Sequence, residues 1–465
     1  NLEQNPSSTS IQSIQTSAHR RQRRFREWRH RFSKKQRSHG DSTPASSANP
    51  SPSQNSTQSP QSSPTLSEPE KQTPETYSQP TSQIPISPIN LHFPSEEIYE
   101  EGLIEISGKG FGFLRDPSKN FTQTLNDTFV TPEVIRNYSL RDGMRIKGKI
   151  RIGPRGRQLY DLLSIEGQTP ENFRHLPVFE ELTVLNPLER IRLETTADRF
   201  TTRTIDLIAP IGKGQRGLIV APPRTGKTTI LQHIAEAVLQ NHPEIYVILL
   251  LVDERPEEVT ELRRSLPGAE VLASSNDSDT KTHTRVSQFG IERARRLAEM
   301  GRDVIVLMDS LTRIGRAFNN IQSNKGRTMS GGVDTRALEI PRKLFASARN
   351  TAEAGSLTII ATALVETGSK MDELIFLEFK GTGNMELVLD RRIAEQRIFP
   401  AADIFLSGTR REELLLPAND LQKISIIRRG LAGHKPLEAM ERLLYFLRKY
   451  PTNRELLDSI PATHH

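Results

Sequence analysis

The segment Ala221–Thr229 (APPRTGKTT) lies directly after the apolar run Gly217–Val220 and just before the amphipathic stretch Ile230–Gln240. The apolar run predicts a buried strand, and the apolar spacing of three and four residues in the following stretch predicts a helix. A loop between a strand and a helix is the setting in which backbone N–H groups converge on phosphate. The segment therefore predicts a phosphate-binding loop.

Three residues of this loop have the chemistry that nucleotide phosphates require. Gly226 allows close approach of the backbone, Lys227 reaches the β- and γ-phosphates, and the hydroxyl of Thr228 suits Mg²⁺. The strict pattern G-x-x-x-x-G-K-[ST] requires Gly at position 221, where this chain has Ala221. The flanking strand and helix, rather than the pattern alone, favour an ATP site over a chance Gly-Lys-Thr turn.

The composition of the whole chain limits how many folded domains it can contain and what class of protein it is. Its 465 residues suffice for two or three domains, yet only 35% are hydrophobic, and runs such as Ser51–Pro64 (SPSQNSTQSPQSSP) predict that residues 1–94 are disordered. The chain has no cysteine, which excludes disulfides and thiolate metal sites. The longest apolar run, Tyr246–Val252, is far shorter than a membrane span, and no secretory signal is evident. We expect a soluble, cytoplasmic protein without a membrane partner.

The net charge of +7 is concentrated near the N-terminus. Ten of the eleven Lys and Arg residues in the first 94 positions lie within Arg20–Arg37 (RRQRRFREWRHRFSKKQR), which we call the basic arm. Phe25, Trp28 and Phe32 are interleaved with its cations and could stack on bases. The basic arm therefore favours nucleic acid, although a solvated basic tail or a short helix at an acidic membrane surface has the same pattern.

From about Ser95 the composition changes to that of a small β-domain. Strand patterns occur at Leu103–Ile106, Gly108–Arg115, Thr128–Val130 and Met144–Ile152. In the last of these (MRIKGKIRI), the period of two predicts Met144, Ile146, Ile150 and Ile152 on the core face and Arg145, Lys147, Lys149 and Arg151 on the other. The oligonucleotide-binding (OB) barrel is the candidate fold.

Two phenylalanines of this domain are candidates for binding single-stranded bases. Phe111 and Phe113 are two residues apart and so share one face of a strand, on which Arg115 could meet phosphate. Two phenylalanines on one strand face are more often simply part of a core. The neighbouring basic strand favours the stacking interpretation here.

Acidic residues follow two predicted strands of the second half of the chain. The apolar run Glu244–Val252 ends at Asp253 and Glu254, and Asp303–Met308 ends at Asp309. The carboxyl ends of parallel strands are where ligands bind, so both acids are predicted beside the phosphate loop. Asp309 suits Mg²⁺, directly or through water, and Glu254 suits activation of the attacking water. Either could instead be a helix cap or a solvated loop acid.

The order and spacing of several longer motifs resemble the bacterial transcription termination factor Rho family from about Gly102 to the mid 400s. The motifs are GQRGLIVAPPRTGKTT (Gly214–Thr229), VDERPEEVTE (Val252–Glu261), DSLTRIGRAFN (Asp309–Asn319), GGVD (Gly331–Asp334), ETGSKMDELIFLEFKGTGNMEL (Glu366–Leu387) and SGTRREELL (Ser407–Leu415). The phosphate loop of that family resembles this one, including the Ala at position 221.

The resemblance implies a homohexameric ring with RecA-like ATPase domains, ATP between subunits and RNA through the centre. It implies ATP binding by Arg224, Thr225, Gly226, Lys227, Thr228, Thr229, Arg255 and Phe399, with Phe399 stacked on adenine, and metal binding by Thr228 and Asp309. It implies catalytic roles for Lys227, Glu254 and Arg410, the last as an arginine finger from the neighbouring subunit. It implies an inter-subunit pocket containing Arg255, Asp309, Ser310, Arg313 and Lys380.

The resemblance also implies RNA contacts in addition to Phe111, Phe113 and Arg115. Phe129 falls where the family has an aromatic residue. The segment Lys325–Asp334 would face the central channel through Lys325, Arg327, Gly331 and Gly332, and Gly368–Met371 would face it through Lys370; by themselves both segments read as ordinary flexible loops. The chain departs from the family where an acid and an aromatic residue read a pyrimidine, because Arg157 and Leu159 stand there, with Tyr160 adjacent.

We therefore predict a multidomain chain: a disordered extension with the basic arm (1–94), an OB-type RNA-binding barrel (95–168), a connector (169–200) and an α/β RecA-like P-loop ATPase domain with a parallel sheet (201–465). The predicted function is transcription termination by an RNA-dependent ATPase and 5′ to 3′ helicase. It would use ATP and Mg²⁺, bind single-stranded RNA, and act on the RNA polymerase elongation complex, with accessory termination factors as further candidate partners. Two alternatives are a rotary or export ATPase subunit and a passive RNA-binding protein whose ATP site serves assembly.

Overall fold

The structure is a computed structural model that describes residues 97–119, 121–154, 156–322, 333–334 and 336–461. The predicted disordered extension and its basic arm lie outside these residues. The strands are β1 (Ile98–Ile106), β2 (Gly112–Arg115), β3 (Phe129–Val130), β4 (Arg145–Gly153), β5 (Gly156–Ile165), β6 (Val184–Leu185), β7 (Arg190–Ile191), β8 (Ile211–Gly212), β9 (Arg216–Ala221), β10 (Ile245–Glu254), β11 (Glu270–Ser275), β12 (Asp303–Asp309), β13 (Asn350–Thr351), β14 (Leu357–Leu364), β15 (Met385–Val388) and β16 (Gly408–Thr409).

The α-helices of the described residues are α1 (Pro132–Asn137), α2 (Phe200–Ile208), α3 (Lys227–Asn241), α4 (Pro256–Ser265), α5 (Thr280–Glu299), α6 (Leu311–Gln322), α7 (Glu339–Ala346), α8 (Lys370–Lys380), α9 (Arg391–Glu395), α10 (Ala418–Leu431), α11 (Pro436–Lys449) and α12 (Asn453–Asp458). Short 3₁₀ helices cover Pro117–Lys119, Pro170–Phe173, Phe179–Glu181 and Glu412–Leu414. None of the helices in the described ranges is both long and apolar enough to cross a bilayer.

The first five strands form a closed barrel in the order β1-β2-β3-β5-β4, and antiparallel pairing of β1 with β4 closes it. Its interior contains Ile104, Ile146, Ile150 and Leu159, all buried, because the side chains of each strand alternate between the two faces. The predicted OB-type fold is confirmed.

Two local predictions for the barrel are wrong. Ile152 is 67% exposed, since it lies near the end of β4, beyond the stretch that the barrel wall covers. The predicted strand at 108–115 begins only at Gly112, because a turn reverses the chain: the N–H of Gly110 donates to Ser107 O at 2.8 Å, with Gly110 at φ +83°. This turn joins β1 to β2.

The second half of the chain contains a seven-stranded sheet in the order β11-β10-β12-β14-β9-β15-β16. Each neighbouring pair from β11 to β15 is parallel, and β16 alone runs antiparallel to its neighbour β15. The predicted parallel α/β architecture is confirmed. The carboxyl ends of β9, β10, β12 and β14 consequently share one edge of the sheet.

Both faces of this sheet are buried under helices, which explains the continuous apolar runs of the sequence. Ile219 and Leu249 pack into one core with α3 and α4, whereas Leu218 and Leu250 pack into the other core with α5, α6 and α8. Successive residues of one strand therefore pack into opposite cores.

The barrel rests on α5 of the α/β domain through a buried arginine. Arg293 pairs with Glu166 of the barrel and, at 3.3 Å, with Glu270, and it donates to the carbonyl of Gly143 at 3.2 Å. A side chain at position 143 would meet the backbone N of Arg293 at 2.6 Å, so this close approach requires glycine. The two domains are thus in direct contact.

Candidate functional site

The predicted phosphate loop connects β9 to α3. Gly226 precedes the first residue of α3 with φ 87°, a left-handed conformation that glycine adopts readily. The hydroxyl of Thr225 donates to Pro222 O at 2.7 Å and closes the loop on itself. Ala221 is the last residue of β9 and is fully buried, so its methyl group occupies the core rather than the loop. Arg224 and Thr229 are exposed at the rim.

Lys227, at the start of α3, lies between the two predicted strand-end acids. Its Nζ is 2.6 Å from Asp309 Oδ2 and 3.0 Å from Glu254 Oε1. The strands β10 and β12, which end in these acids, are adjacent and parallel, and this topology brings the two carboxylates together. The sequence prediction that both acids lie beside the phosphate loop agrees with this geometry.

Burial and neighbouring charges raise the pKa values of both Glu254 and Lys227. Burial, followed by the negative charge of Asp309, raises the pKa of Glu254, although Lys227 and Arg313 oppose that shift. Burial disfavours the charge on Lys227, but the two carboxylates outweigh it and raise the pKa of Lys227. Lys227 therefore stays cationic, and Glu254 is more basic than an ordinary glutamate.

The residues that could hold Mg²⁺ are the hydroxyl of Thr228 and the carboxylate of Asp309. Thr228 Oγ1 is 3.3 Å from Asp309 Oδ2, and both groups are oxygen donors, the kind that Mg²⁺ prefers. Within the described ranges no three His, Cys, Asp or Glu side chains converge as a metal site. These two oxygen ligands fit a metal ion that takes its remaining ligands from phosphates and water.

Thr362 is a member of this site that the sequence analysis missed. It is fully buried on β14, and its hydroxyl donates to Asp309 Oδ1 at 2.7 Å. It thereby fixes the carboxylate from the side opposite Lys227. The available signal was a hydroxyl residue within the apolar strand Leu357–Leu364 (LTIIATAL).

Arg313 and Ser310, predicted to line an inter-subunit pocket, bond within their own chain. Arg313 NH1 is 3.1 Å from Glu254 Oε2 and also donates to the carbonyl of Asp253. The buried Ser310 accepts a 3.3 Å hydrogen bond from the Arg313 N–H. Arg255, at the start of α4, is exposed at the same edge of the sheet.

A cleft of about 430 Å³ adjoins the loop on the side of Phe399. Phe399 is 45% exposed, as a ring that stacks on a base must be. The opposite wall is one face of α3 and its N-cap, because residues three, four and seven positions apart share a face. These residues are Gly226, Thr229, Ile230 and His233.

His233 is a second residue that the sequence analysis missed. Its Nδ1 is buried without a hydrogen-bond partner in the described structure. Burial, followed by the charge of Arg199, lowers its pKa, so the imidazole is neutral at pH 7. His233 is thus an uncharged part of the cleft wall.

The remaining predicted ATP-site cations lie at the opposite edge of the sheet. Arg410 follows the antiparallel strand β16, and its backbone N–H donates to Asn384 O, next to the start of β15. Lys380 ends α8, which leads back to that same edge. Strand β9 separates this edge from the phosphate loop by roughly 16 Å, at about 3.3 Å per residue. One chain therefore does not bring Arg410 or Lys380 to Lys227.

On the barrel, the three predicted aromatic residues form one cluster. The ring centroids of Phe111, Phe113 and Phe129 are 5.6 to 5.8 Å apart, and all three side chains are partly exposed. We call these three residues the aromatic cluster. Its exposed ring faces are suited to stacking on single-stranded bases.

Arg115, the predicted phosphate contact, is paired with acids of its own domain. Arg115 is only 5% exposed, and its guanidinium pairs with Asp127 and, at 2.5 Å, with Glu105. It also lies over the ring of Phe113, 5.0 Å from the centroid. Arg115 thus packs against the ring of Phe113 and pairs with two carboxylates, and its contact with phosphate stays a prediction.

The basic face predicted for β4 is only partly available. Lys149 pairs with Glu97 at 2.7 Å and Arg145 with Glu270 at 3.2 Å, whereas Lys147 and Arg151 are exposed. An acid just before β1 and an acid of the α/β domain pair with half of the predicted cations.

The position at which the chain departs from the family pattern still presents an aromatic residue. Leu159 is 1% exposed within the barrel core, whereas Tyr160 is 48% exposed. Alternation along β5 places Tyr160 on the face opposite the buried Leu159, beside a shift in the register of β4 and β5. Arg157 pairs with Glu100 at 2.7 Å.

The loops predicted to face a central channel are described only in part. Lys325, Arg327, Gly331 and Gly332 lie outside the described residues. Lys370 is exposed as the first residue of α8, which Ser369 caps, so it begins a helix rather than lying in a loop.

Family models match the two domains separately. Residues 100–171 match the RNA-binding domain of the Rho termination factor, and residues 201–409 match the nucleotide-binding domain of the ATP synthase alpha/beta family.

Two bacterial relatives align with most of the chain. The chain is 51% identical over 375 residues to transcription termination factor Rho of Aquifex aeolicus, which covers 79% of this chain and 86% of the relative. It is 51% identical over 377 residues to transcription termination factor Rho of Cereibacter sphaeroides, covering 79% and 89%. Among solved structures, the assembled type III secretion ATPase EscN of enteropathogenic E. coli has a TM-score of 0.50 at 21% identity, over 59% of this chain and 71% of that one. This last likeness concerns the fold alone.

Proposed function

Because the chain belongs to the transcription termination factor Rho family, we propose that it terminates transcription as an ATP-driven RNA translocase. It would bind nascent single-stranded RNA, move 5′ to 3′ along it in the cytoplasm, and release the transcript from RNA polymerase. The observation that carries this proposal is the combination, in one chain, of an exposed aromatic cluster on an OB-type barrel with an ATP site at the edge of a RecA-like sheet.

The chain is an ATPase by family, and several of its residues are suited to individual steps of ATP hydrolysis. Lys227, cationic between two carboxylates, would bind the β- and γ-phosphates. Glu254, whose pKa is raised by burial, is suited to accept the proton of the attacking water. Thr228 and Asp309 would hold Mg²⁺, which neutralises charge on the phosphates when bound. Phe399 would stack on the base.

The location of Arg410 supports a ring in which subunits complete one another's ATP sites. Since the full length of β9 separates Arg410 from Lys227 in one chain, an arginine finger at this position has to act on the site of a neighbouring copy. Lys380, at the same edge as Arg410, would join it there. A homohexamer with ATP between subunits has this arrangement.

RNA would be captured on the aromatic cluster and then contacted inside the ring. Single-stranded bases stack on Phe111, Phe113 and Phe129, and Lys370 is exposed for contact with the RNA backbone. Lys325, Arg327, Gly331 and Gly332 remain proposed channel residues on the strength of the family resemblance. The proposed domains are the extension (1–94), the RNA-binding barrel (95–168), the connector (169–200) and the ATPase domain (201–465).

The decisive experiment measures ATP hydrolysis with and without single-stranded pyrimidine-rich RNA, together with transcript release from stalled elongation complexes. RNA should stimulate turnover, and Lys227→Ala should abolish both turnover and release. ATP turnover that RNA does not change would favour a rotary or export ATPase. Transcript release that survives Lys227→Ala would favour the passive RNA-binding alternative.

Two further variants test the separate halves of the proposal. Phe111→Ala combined with Phe113→Ala should weaken RNA binding and leave ATP binding intact; unchanged RNA affinity would assign capture to the basic arm. Mixing Arg410→Ala chains with Lys227→Ala chains should restore some turnover, because a ring of both contains sites with an intact Lys227 and a neighbour's intact Arg410. If the mixture stays inactive although mixed rings form, Arg410 does not act between subunits.

A further inference from the structure

We propose that Glu105 is a positioning residue that couples RNA on the aromatic cluster to the ATP site, by holding one arginine of the barrel and one arginine of the ATPase domain with a single carboxylate. This inference rests on the proposed function. It concerns how RNA binding at the aromatic cluster changes turnover at the ATP site.

The first step joins the aromatic cluster to Glu105. Glu105 of β1 is the direct cross-strand partner of Phe113 of β2, so the two side chains share the outer face of the barrel. Arg115 lies two residues further along β2, on the same face, with its guanidinium 5.0 Å from the Phe113 centroid and its Nε 2.5 Å from Glu105 Oε2. A base stacked on Phe113 therefore presses on a ring that Arg115 and Glu105 support.

The second step crosses to the ATPase domain. Arg285 of α5 donates to both oxygens of Glu105, at 3.1 and 3.0 Å, and its other nitrogen donates to the carbonyl of Phe121. The ring of Phe121 packs against Phe289, one turn further along α5, with centroids 5.0 Å apart. Glu105 and Arg285 are each about four-fifths buried, at 19% and 22% side-chain exposure, which limits screening by salt. A shift of the carboxylate is thus transmitted to α5.

The third step leads from α5 to Glu254. Near the start of α5, His283 Nδ1 is 3.0 Å from Ser274 Oγ at the carboxyl end of β11. In the connection between β11 and α5, the N–H of Asn276 donates to the carbonyl of Glu254 at 2.9 Å. The helix that binds Glu105 is therefore tied at its N-terminal end to the backbone of the residue proposed to activate water.

Other ion pairs between the two domains bypass the aromatic cluster and supply a matched control. Arg141 NH1 of the barrel is 3.0 Å from Glu299 Oε1, at the far end of α5. Glu299 also pairs with Arg296 at 3.2 Å, so removal of Arg141 leaves this buried acid with a partner. Loss of the Arg141 contact weakens domain docking without touching Phe113 or Arg115.

The experiment compares Glu105→Gln with Arg141→Gln in the full-length protein. ATP turnover is measured as a function of the concentration of single-stranded oligonucleotide RNA, and RNA affinity is measured separately at constant ATP. For Glu105→Gln we expect RNA-free turnover and RNA affinity within about twofold of wild type, but maximal RNA-stimulated turnover lower by about fivefold or more, the scale of ordinary coupling between sites. For Arg141→Gln we expect normal stimulation.

Three results would overturn the inference. Normal stimulation of Glu105→Gln excludes the coupling, and equal loss in both variants means that domain docking in general is responsible. If Glu105→Gln binds RNA so much less tightly that this alone explains its lower turnover, Glu105 only supports the RNA site. If Glu105→Gln does not fold, Arg285→Gln is judged by the same criteria. If RNA does not change the ATP turnover of the wild-type protein, the proposed function itself is refuted.

Discussion

Thr362→Val tests directly how the ATP site holds its buried carboxylate. Thr362 is fully buried on β14, and its hydroxyl donates to Asp309 Oδ1 at 2.7 Å, while Asp309 Oδ2 faces Lys227 at 2.6 Å. Valine keeps the branched shape and deletes only this donor. A hydrogen bond to a charged group contributes about 1.5–3 kcal/mol, so we expect the free energy of unfolding to fall by that amount. This corresponds to roughly 3–12 °C in the unfolding midpoint of a domain of this size.

The same substitution should weaken nucleotide binding. With Oδ1 unbonded, Asp309 is fixed from the Lys227 side alone, and its orientation toward Thr228 and the metal is less restrained. Urea unfolding and titration with a fluorescent ATP analogue in the presence of Mg²⁺ measure the two effects.

Thr362→Ser is the matched control, since it keeps the hydroxyl and removes a methyl group at a cost of about 1 kcal/mol. We expect the serine variant to bind ATP normally and the valine variant to bind it less tightly. If valine leaves both stability and ATP affinity unchanged while serine lowers stability, the hydroxyl does not hold Asp309 and the reasoning fails.

Three further predictions follow from the site and the barrel. Glu254→Gln keeps an oxygen for Lys227 but cannot accept a proton, so steady-state assays should find turnover reduced by about 10²–10⁴ with ATP affinity retained; substantial residual turnover would assign the base elsewhere. Phe129→Ala should cost about 1–3 kcal/mol of RNA-binding free energy in filter or anisotropy assays, and no loss would exclude stacking on this ring. Burial lowers the pKa of His233 and of His283, so the unfolded chain binds more protons below about pH 6.5 and stability should fall as the pH drops through that range. Replacement of both by Gln should flatten this part of the pH profile of urea unfolding; an unchanged slope would assign it to other groups.

Much of the architecture could be predicted from local patterns. The apolar runs ending in Glu254 and Asp309 predicted two strands of a parallel sheet whose carboxyl ends lie beside the phosphate loop, whereas the structure alone showed that the two strands are neighbours. The loop at Gly226 was recognisable because a strand, a glycine and a helix follow one another within a few residues. The spacing of Phe111 and Phe113 was enough to predict that they share a face.

The chain's sequence by itself thus determined several of the buried strands, the helix after the phosphate loop, where that loop lies and which acids end beside it. Only the tertiary structure decided which charges are free. Arg115 is neutralised by Glu105 and Asp127, Thr362 reaches Asp309 across the sheet, and Arg410 lies at the edge opposite the phosphate loop. The reason is physical: periodicity reports which way a side chain points from its own strand, whereas its partners come from strands and helices distant in sequence. Whether a cation meets RNA, a carboxylate or a neighbouring subunit is set by those distant elements.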